Sequence, residues 1–202
     1  MSAFITVEGT DGSGKTTLIN GLKKKLNGKN VLFTREPGGT DLGNAIRNVL
    51  LDDVDIDPLS EVYLFAAARR QHVRNVIIPA LNSGVSVISD RFLDSSVAYQ
   101  GAGRQVGEET VKNINAQAVQ GVIPDITVFL DVSPKEGLRR IHTNRTDEIN
   151  RLDNEELEFY ERVKISYEKM IRDNPERYLV VDAELNPSEI VDIVVKQLSS
   201  IL

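Results

Sequence analysis

The sequence predicts an α/β fold, a three-layer sandwich with a five-stranded parallel sheet. Three observations lead there. Five short apolar, β-branched runs recur, at 3–8 (AFITVE), 30–34 (NVLFT), 85–89 (VSVIS), 126–131 (ITVFLD) and 178–182 (YLVVD). Continuous apolar runs of this length suit strands covered on both faces, as parallel strands are. Helix-length stretches separate them, and regular strand–helix alternation winds helices onto both faces of one sheet. The chain has 202 residues, 41% hydrophobic and 27% charged, enough for one good core and too few for two large ones. A single domain over 1–202 is expected.

The elements follow in order. The first strand runs into GTDGSGKTT at 9–17, and the helix-like LINGLKKKL comes after it. The second strand ends at Arg35-Glu36-Pro37-Gly38-Gly39. Asp57-Pro58 opens a helix that runs to about Leu81, with proline at its first position. The third strand ends in Asp90-Arg91. Ser133-Pro134-Lys135-Glu136 reads as a capping box, and Asn186-Pro187-Ser188-Glu189 repeats its logic. Between those two starts lies a highly charged, weakly apolar segment, 142–156, expected to form a flexible lid. Ligands of open α/β sheets sit beyond the carboxyl ends of the strands. The phosphate-type loop, Glu36 and Asp90-Arg91 therefore point to one shared crevice.

Composition excludes several classes. A net charge of −6 argues against a nucleic-acid surface, which needs a basic excess or stripe. The chain contains no cysteine, so disulfides and thiolate metal sites are out. No apolar run approaches the ~20 residues of a membrane span, and the N-terminus lacks a basic leader. A cytoplasmic enzyme is the simplest expectation. His72 and His142 are too few and too far apart for a metal site and read as structural or surface residues.

Gly9-x-x-x-x-Gly14-Lys15-Thr16 is a P-loop in its required context, strand before and helix after. Gly9, Gly12 and Gly14 let the backbone turn tightly, so that loop N–H groups, including those around Ser13, point at phosphate oxygens. The helix beginning at Lys15 adds its positive end, with Thr17 in the same turn. Lys15 reaches the β- and γ-phosphates, and the Thr16 hydroxyl suits Mg²⁺. The pattern predicts nucleoside triphosphate binding and is silent on the acceptor. A GTPase would need an Asn-Lys-x-Asp guanine reader and Asp-x-x-Gly after the third strand; neither is present.

The acceptor side is carried by two stretches. Asp90 closes an apolar strand, where a carboxylate can hold a water on Mg²⁺, and Arg91 beside it suits a phosphate. A charged pair there costs free energy unless it is used. A hydroxyl, a phenol and an amide follow at Ser96, Tyr99 and Gln100. Upstream, Phe65 and Arg69 share one side of a helix, so a base can stack on Phe65 while Arg69 donates to a carbonyl oxygen. Taken singly, Phe65 reads as core sooner than as pocket, and Arg69-Arg70 can be a solvated face and Asp94 a cap.

Taken together, GTDGSGKTT, TREPGGT, LFAAARR, DRFLDSSVAYQG and the late NRLD resemble bacterial thymidylate kinases, from residue 3 to the C-terminus. The resemblance implies the nucleotide-kinase type of P-loop fold. It implies transfer of the γ-phosphate of ATP to dTMP with Mg²⁺, on the way to dTTP, by a homodimer. It puts Asp11 at the 3′-hydroxyl of dTMP, Arg91 and Arg47 on its phosphate, Phe65 against the base and Arg69 at thymine O4. Gln100 and Ser96 fall near N3, Tyr99 near the sugar C2′, and Glu36 in the nucleotide pocket. Some members of the family carry a catalytic arginine inside the P-loop, after the acidic residue. Gly12-Ser13 stands there in this chain, so the lid must supply it: Arg151 is the better match and Arg145 the second. Arg139 is implied to cover the adenine of ATP.

Rivals stay open at this point. The nearest is another nucleoside monophosphate kinase, or a deoxynucleoside kinase, which would need a general base for a 5′-hydroxyl, and Glu36 could serve. A P-loop partner-binding ATPase would have no small acceptor.

Overall fold

The structure, a computed structural model, describes residues 2–52, 54–144 and 155–202. Five strands form one parallel sheet: β1 (Phe4–Glu8), β2 (Val31–Arg35), β3 (Ser86–Asp90), β4 (Ile126–Asp131) and β5 (Tyr178–Asp182). Their order is β2-β3-β1-β4-β5, and each neighbouring pair runs parallel. The expected fold class and strand count hold, with strand limits displaced by at most a residue. All five residues of β1 are buried, as a central strand demands. β2 and β5 are only partly covered because they form the sheet's edges. Phase within β1 splits the core: Ile5 and Val7 face one layer and Phe4 the other, the two-residue period of a strand.

One layer is built by α1 (Lys15–Lys25) and α9 (Pro187–Leu198). Leu18, Ile19 and Leu22 pack there with Val191, Val194 and Leu198. The other layer holds α2 (Asp41–Leu51), α3 (Pro58–His72), α4 (Ile78–Asn82), α5 (Leu93–Ser96), α6 (Glu108–Val119) and α8 (Leu157–Asp173). Helix α7 (Pro134–Asn144) leads toward 145–154. The predicted lid at 142–156 lies mostly outside the described residues.

The helix expected from Pro58 to about Leu81 is present but not uniform. A π-helical turn, Val73–Ile77, joins α3 to α4, and the Ile78 N–H bonds back to the Val73 carbonyl. Pro79 follows at once; it has no N–H to give, and its ring crowds the preceding turn. A second π segment, Val97–Gly103, continues α5 and carries Tyr99 and Gln100. Such segments re-aim side chains and concentrate at functional sites.

The predicted helix starts fare unevenly. Asp57 caps α3 by accepting from the Ser60 N–H at 2.9 Å. Ser133 accepts from the Glu136 N–H at 3.2 Å, but the Glu136 carboxylate turns to Arg139 and Arg140, so only half of the box forms. Asn186 makes no side-chain cap at all. There Pro187 alone marks the start, its fixed φ being preset for the first turn.

Candidate active site

The strand order sets the site. Because β2, β3 and β1 are neighbours, the residues that follow their carboxyl ends lie side by side. They open on one cleft of about 1030 Å³, lined at one end by Gly12–Thr17 and at the other by Phe65, Arg69, Ser96 and Gln100.

The loop end is made of backbone. Gly14 caps α1 in the left-handed region, at φ 93°, so the first helical N–H groups are free to face an anion. Gly12 is left-handed too, at φ 77°, and it packs on the first turn of α7. A Cβ at Gly12 would lie 2.2 Å from the Gly137 carbonyl oxygen. Lys15 is folded back on its own loop, its ammonium donating to the carbonyls of Gly9 at 3.0 Å and Thr10 at 2.8 Å. Burial, with the charge of Arg91 added, lowers its pKa to about 8. Ser13 is buried, whereas Thr16 and Thr17 are exposed and line the cleft.

Asp90 and Arg91 hold the centre. Arg91 adopts φ 67°, a conformation that costs a non-glycine residue about 1–3 kcal/mol. Its N–H bonds to the Val7 carbonyl, and its own carbonyl accepts from the Ser89 hydroxyl. The turn aims the guanidinium back at the P-loop. There it donates to Asp11 at 2.5 Å, Ser95 at 3.0 Å and the Gly9 carbonyl at 3.3 Å. Burial works against its charge, but Tyr99, Asp11, Tyr167 and Asp90 hold its pKa well above the ordinary value. The Tyr99 hydroxyl donates to the other Asp11 oxygen at 2.9 Å, and burial pushes the Tyr99 pKa up. Among the described residues Asp90 Oδ1 is buried without a hydrogen-bond partner, an acceptor still to be satisfied. Arg47 lies on the cleft wall and donates weakly to the Pro37 carbonyl at 3.3 Å; burial, with Arg35 nearby, lowers its pKa.

The far end is a network of side chains. Arg69 is 1% exposed. It donates to Glu36 at 2.8 Å, Asn115 at 2.5 Å, the Phe92 carbonyl at 3.0 Å and Ser96 at 3.0 Å. The second Glu36 oxygen meets His72 at 2.9 Å, and His72 bonds Thr34 at 2.7 Å. His72 is thus structural, as expected, and both oxygens of Glu36 are committed. That counts against Glu36 as the free base a nucleoside kinase would need. Gln100 donates to the buried Glu61 at 2.8 Å. Phe65 is half-buried on the cleft wall and packs with Ile46, Leu50 and Ala68.

The fold therefore brings Asp11, Lys15, Thr16, Glu36, Arg47, Phe65, Arg69, Asp90, Arg91, Ser96, Tyr99 and Gln100 to one cleft. It does not bring Arg139 there. Arg139 is exposed and forks onto Glu136, while its neighbour Arg140 lines the cleft and donates to the Ala183 carbonyl. Arg145 and Arg151 lie outside the described residues.

Sequence reading missed Glu8, Glu61 and Asn115. Glu8 is fully buried and accepts from the Phe92 N–H at 2.7 Å, Ser95 at 2.5 Å and Tyr167 at 2.8 Å. Burial and the nearby Asp94 raise its pKa to about 7. The signal was there: like Asp90, Glu8 is a carboxylate closing an apolar strand. Asn115 and Glu61 left no local signal, since each reads as one more polar residue on an amphipathic helix.

Known proteins resemble this chain over nearly its whole length. The family model described as thymidylate kinase matches residues 7–194. A thymidylate kinase of Enterococcus faecalis is 46% identical, over 94% of this chain and 92% of its own. That of Staphylococcus haemolyticus is 45% identical over 95% of each. Among solved structures, thymidylate kinase from Ehrlichia chaffeensis superposes with a TM-score of 0.76 at 35% identity, covering 98% of both chains.

Proposed function

Because the chain belongs to the thymidylate kinase family, we propose how its own residues divide that family's reaction. The chain phosphorylates dTMP to dTDP with ATP as donor, a step toward dTTP. One observation supports the division of roles: a single cleft joins the P-loop to the Arg69–Gln100 pocket through the Arg91–Asp11 pair.

The ATP phosphates lie on the N–H groups of Gly9–Thr17, with Lys15 leaving its loop carbonyls for the β- and γ-oxygens. Arg91 and Arg47 hold the dTMP phosphate, and Asp11 takes the 3′-hydroxyl. Phe65 stacks on thymine, Arg69 donates to O4, Gln100 and Ser96 lie at N3, and Tyr99 packs against C2′ and disfavours a ribose. Glu36 braces Arg69. The first turns of α7 cover adenine, with Arg140 on the wall and Arg139 flanking it. Arg151, or else Arg145, completes the charge around the transferred group. The attacking atom is a phosphate oxygen, already anionic near neutral pH, so no general base is needed. The task is to bring two anions together in line, which positioned cations and exclusion of water achieve.

Mg²⁺ fits the groups at this site. Thr16 offers an exposed hydroxyl, and Asp90 an acceptor unpartnered among the described residues, suited to a metal-bound water. Two such groups suit an ion that keeps most of its waters and takes the rest of its shell from phosphates. Among the described residues no cluster of three or more acidic, histidine or cysteine side chains could hold a metal alone. Bound there, the ion would neutralise developing charge on the phosphates.

A homodimer is supported by the apolar outer face of α3, where Tyr63 is 57% and Leu59 40% exposed beside a shallow groove shared with α6. A cytoplasmic location, free of membrane and nucleic acid, agrees with the acidic charge. Among the described residues no helix is long and apolar enough to cross a membrane.

The test is ADP release from Mg·ATP with dTMP, dUMP, dCMP, dGMP, AMP or thymidine, against a blank without acceptor. Rapid turnover with dTMP, less with dUMP and little with the rest is expected. Turnover with thymidine but not dTMP would overturn the phosphate-acceptor reading. A flat panel at the blank rate would favour a binding ATPase.

A further inference from the structure

The floor of the base pocket contains a carboxylate that the reaction does not use. Glu61, in the first turn of α3, is 0% exposed and does not line the cleft. Gln100, which does line it, is 2% exposed and donates to Glu61 Oε1 at 2.8 Å. Arg104 Nε lies 3.6 Å from the same oxygen, and Arg104 also pairs with Glu155 at 2.6 Å.

An amide carries two donors on nitrogen and acceptor lone pairs on oxygen, and rotating it by half a turn exchanges them. A carboxylate accepts and does not donate. Glu61 therefore captures the –NH₂ end of Gln100 and rejects the flipped amide, which would set oxygen against oxygen in a buried place. The amide oxygen is left for the cleft. Among the described residues the only buried, unpartnered side-chain N or O atoms are Thr10 Oγ1, Asp90 Oδ1 and Arg104 Nη2. Among the described residues Gln100 Oε1 has no partner and is not one of these buried atoms, and Gln100 lines the cleft. Arg69 lines the same cleft and is bonded to Ser96, four residues before Gln100 on the same helical segment; with four hydrogen bonds formed, it keeps one Nη1 N–H without a partner among the described residues.

The pocket thus presents an acceptor next to a donor. Thymine and uracil offer the complement, an N3–H donor next to the O4 acceptor. Cytosine offers the reverse, an N3 acceptor next to an N4 amino donor. We infer that Glu61 is a specificity-determining positioning residue, which locks the Gln100 amide so that the pocket accepts a 4-oxo pyrimidine and rejects a 4-amino one. The inference rests on the dTMP kinase reading above and deepens it.

Uracil and cytosine nucleotides differ only along this edge, so dUMP and dCMP form the measuring pair. In Glu61→Gln the new side chain can accept from Gln100 or donate to it, and both amide orientations become allowed. The dCMP/dUMP ratio of kcat/KM is expected to rise roughly tenfold, because the penalty for an unmatched buried polar group relaxes. In a Gln100→Ala background the same Glu61→Gln change should leave that ratio where Gln100→Ala alone puts it. A merely structural Glu61 would lower turnover with dTMP, dUMP and dCMP alike, and that result would overturn the inference. So would an equal shift of the ratio in the Gln100→Ala background. Should Glu61→Gln not fold, Gln100→Ala decides alone: retention of the wild-type dCMP/dUMP ratio would overturn the proposal, and a rise in it is the expected result. Wild-type protein inactive with dTMP would instead strike the functional reading on which this one stands.

Discussion

The two ends of the cleft are made of different material. The donor end is nine consecutive residues, 9–17, whose backbone does the binding; Lys15 even rests on carbonyls of its own loop. The acceptor end is assembled from α3, the Asp90-Arg91 turn, the π segment and α6, with side chains bonded to one another across long separations. On the proposed reading the first binds phosphate with groups that every residue has. The second is proposed to read a particular base, and so it needs particular side chains held rigid by buried partners. Damage to the donor end should cost function alone, and damage to the acceptor end should cost function and stability together.

Arg69→Ala should break the contrast most severely. It strips Glu36, Asn115 and Ser96 of a buried partner. The loss of the charge opposite Glu36 should destabilise by roughly 3–5 kcal/mol, a fall in Tm on the order of 10 °C for a chain this long. Calorimetry would show it, together with a raised KM for dTMP. Lys15→Ala should do the opposite. Turnover should fall by roughly a hundredfold or more, equivalent to about 3–4 kcal/mol of transition-state stabilisation, while Tm stays level. Burial already disfavours the Lys15 ammonium, so its removal relieves the fold. A Tm loss in Lys15→Ala comparable to that of Arg69→Ala would erase the distinction.

Glu8 stands where the two ends meet, under Arg91 and Ser95, and its effect is graded by pH. Its pKa is raised by burial first and Asp94 second, from 4.5 to about 7. The folded state therefore binds the proton more tightly than the unfolded chain. The stability this gives is complete below pH 4.5 and is lost as pH rises through 7. Urea unfolding of wild type and Glu8→Gln should show wild type's relative stability falling by roughly 3 kcal/mol between pH 4.5 and 8. A difference that stays constant with pH would mean that Glu8 does not titrate in this window. The smallest effect belongs to α7. Arg140→Ala should raise the KM for ATP roughly threefold or more through lost wall contact, and Arg139→Ala, an exposed residue, by less than about twofold. The reverse order would return the adenine to Arg139.

This contrast also explains what could be read without coordinates. The strands were legible because burial on both faces leaves unbroken apolar runs, and the P-loop because its partners are neighbours in the chain. Arg69 and Gln100 were visible as types, but their supports were not: Asn115 lies 46 residues from Arg69, and Glu61 lies 39 from Gln100. Only the packing of α3 against α6 and the π segment makes those pairs. The choice between Arg139 and Arg140 turned on helical phase, since one residue is about 100° of rotation, and the Ser133 cap marks where the helix begins, not which of its faces meets the cleft. Glu8 obeyed the same rule that singled out Asp90.

The contact between Gly12 and Gly137 has a consequence for how this chain can change. Position 12 opens the P-loop stretch after the acidic residue, Gly12-Ser13, where the resemblance implies that some family members carry a catalytic arginine. Here even a methyl group would strike the Gly137 carbonyl oxygen, and the left-handed φ adds its own penalty. An arginine at 12 would have to displace the start of α7, the helix leading to the segment that holds Arg145 and Arg151. The two glycines thus act as an epistatic lock. The loop cannot acquire the charge while the helix remains seated, and unseating the helix disturbs the segment proposed above to supply it. On that reading, passage between the two arrangements by single substitutions runs through a form with neither.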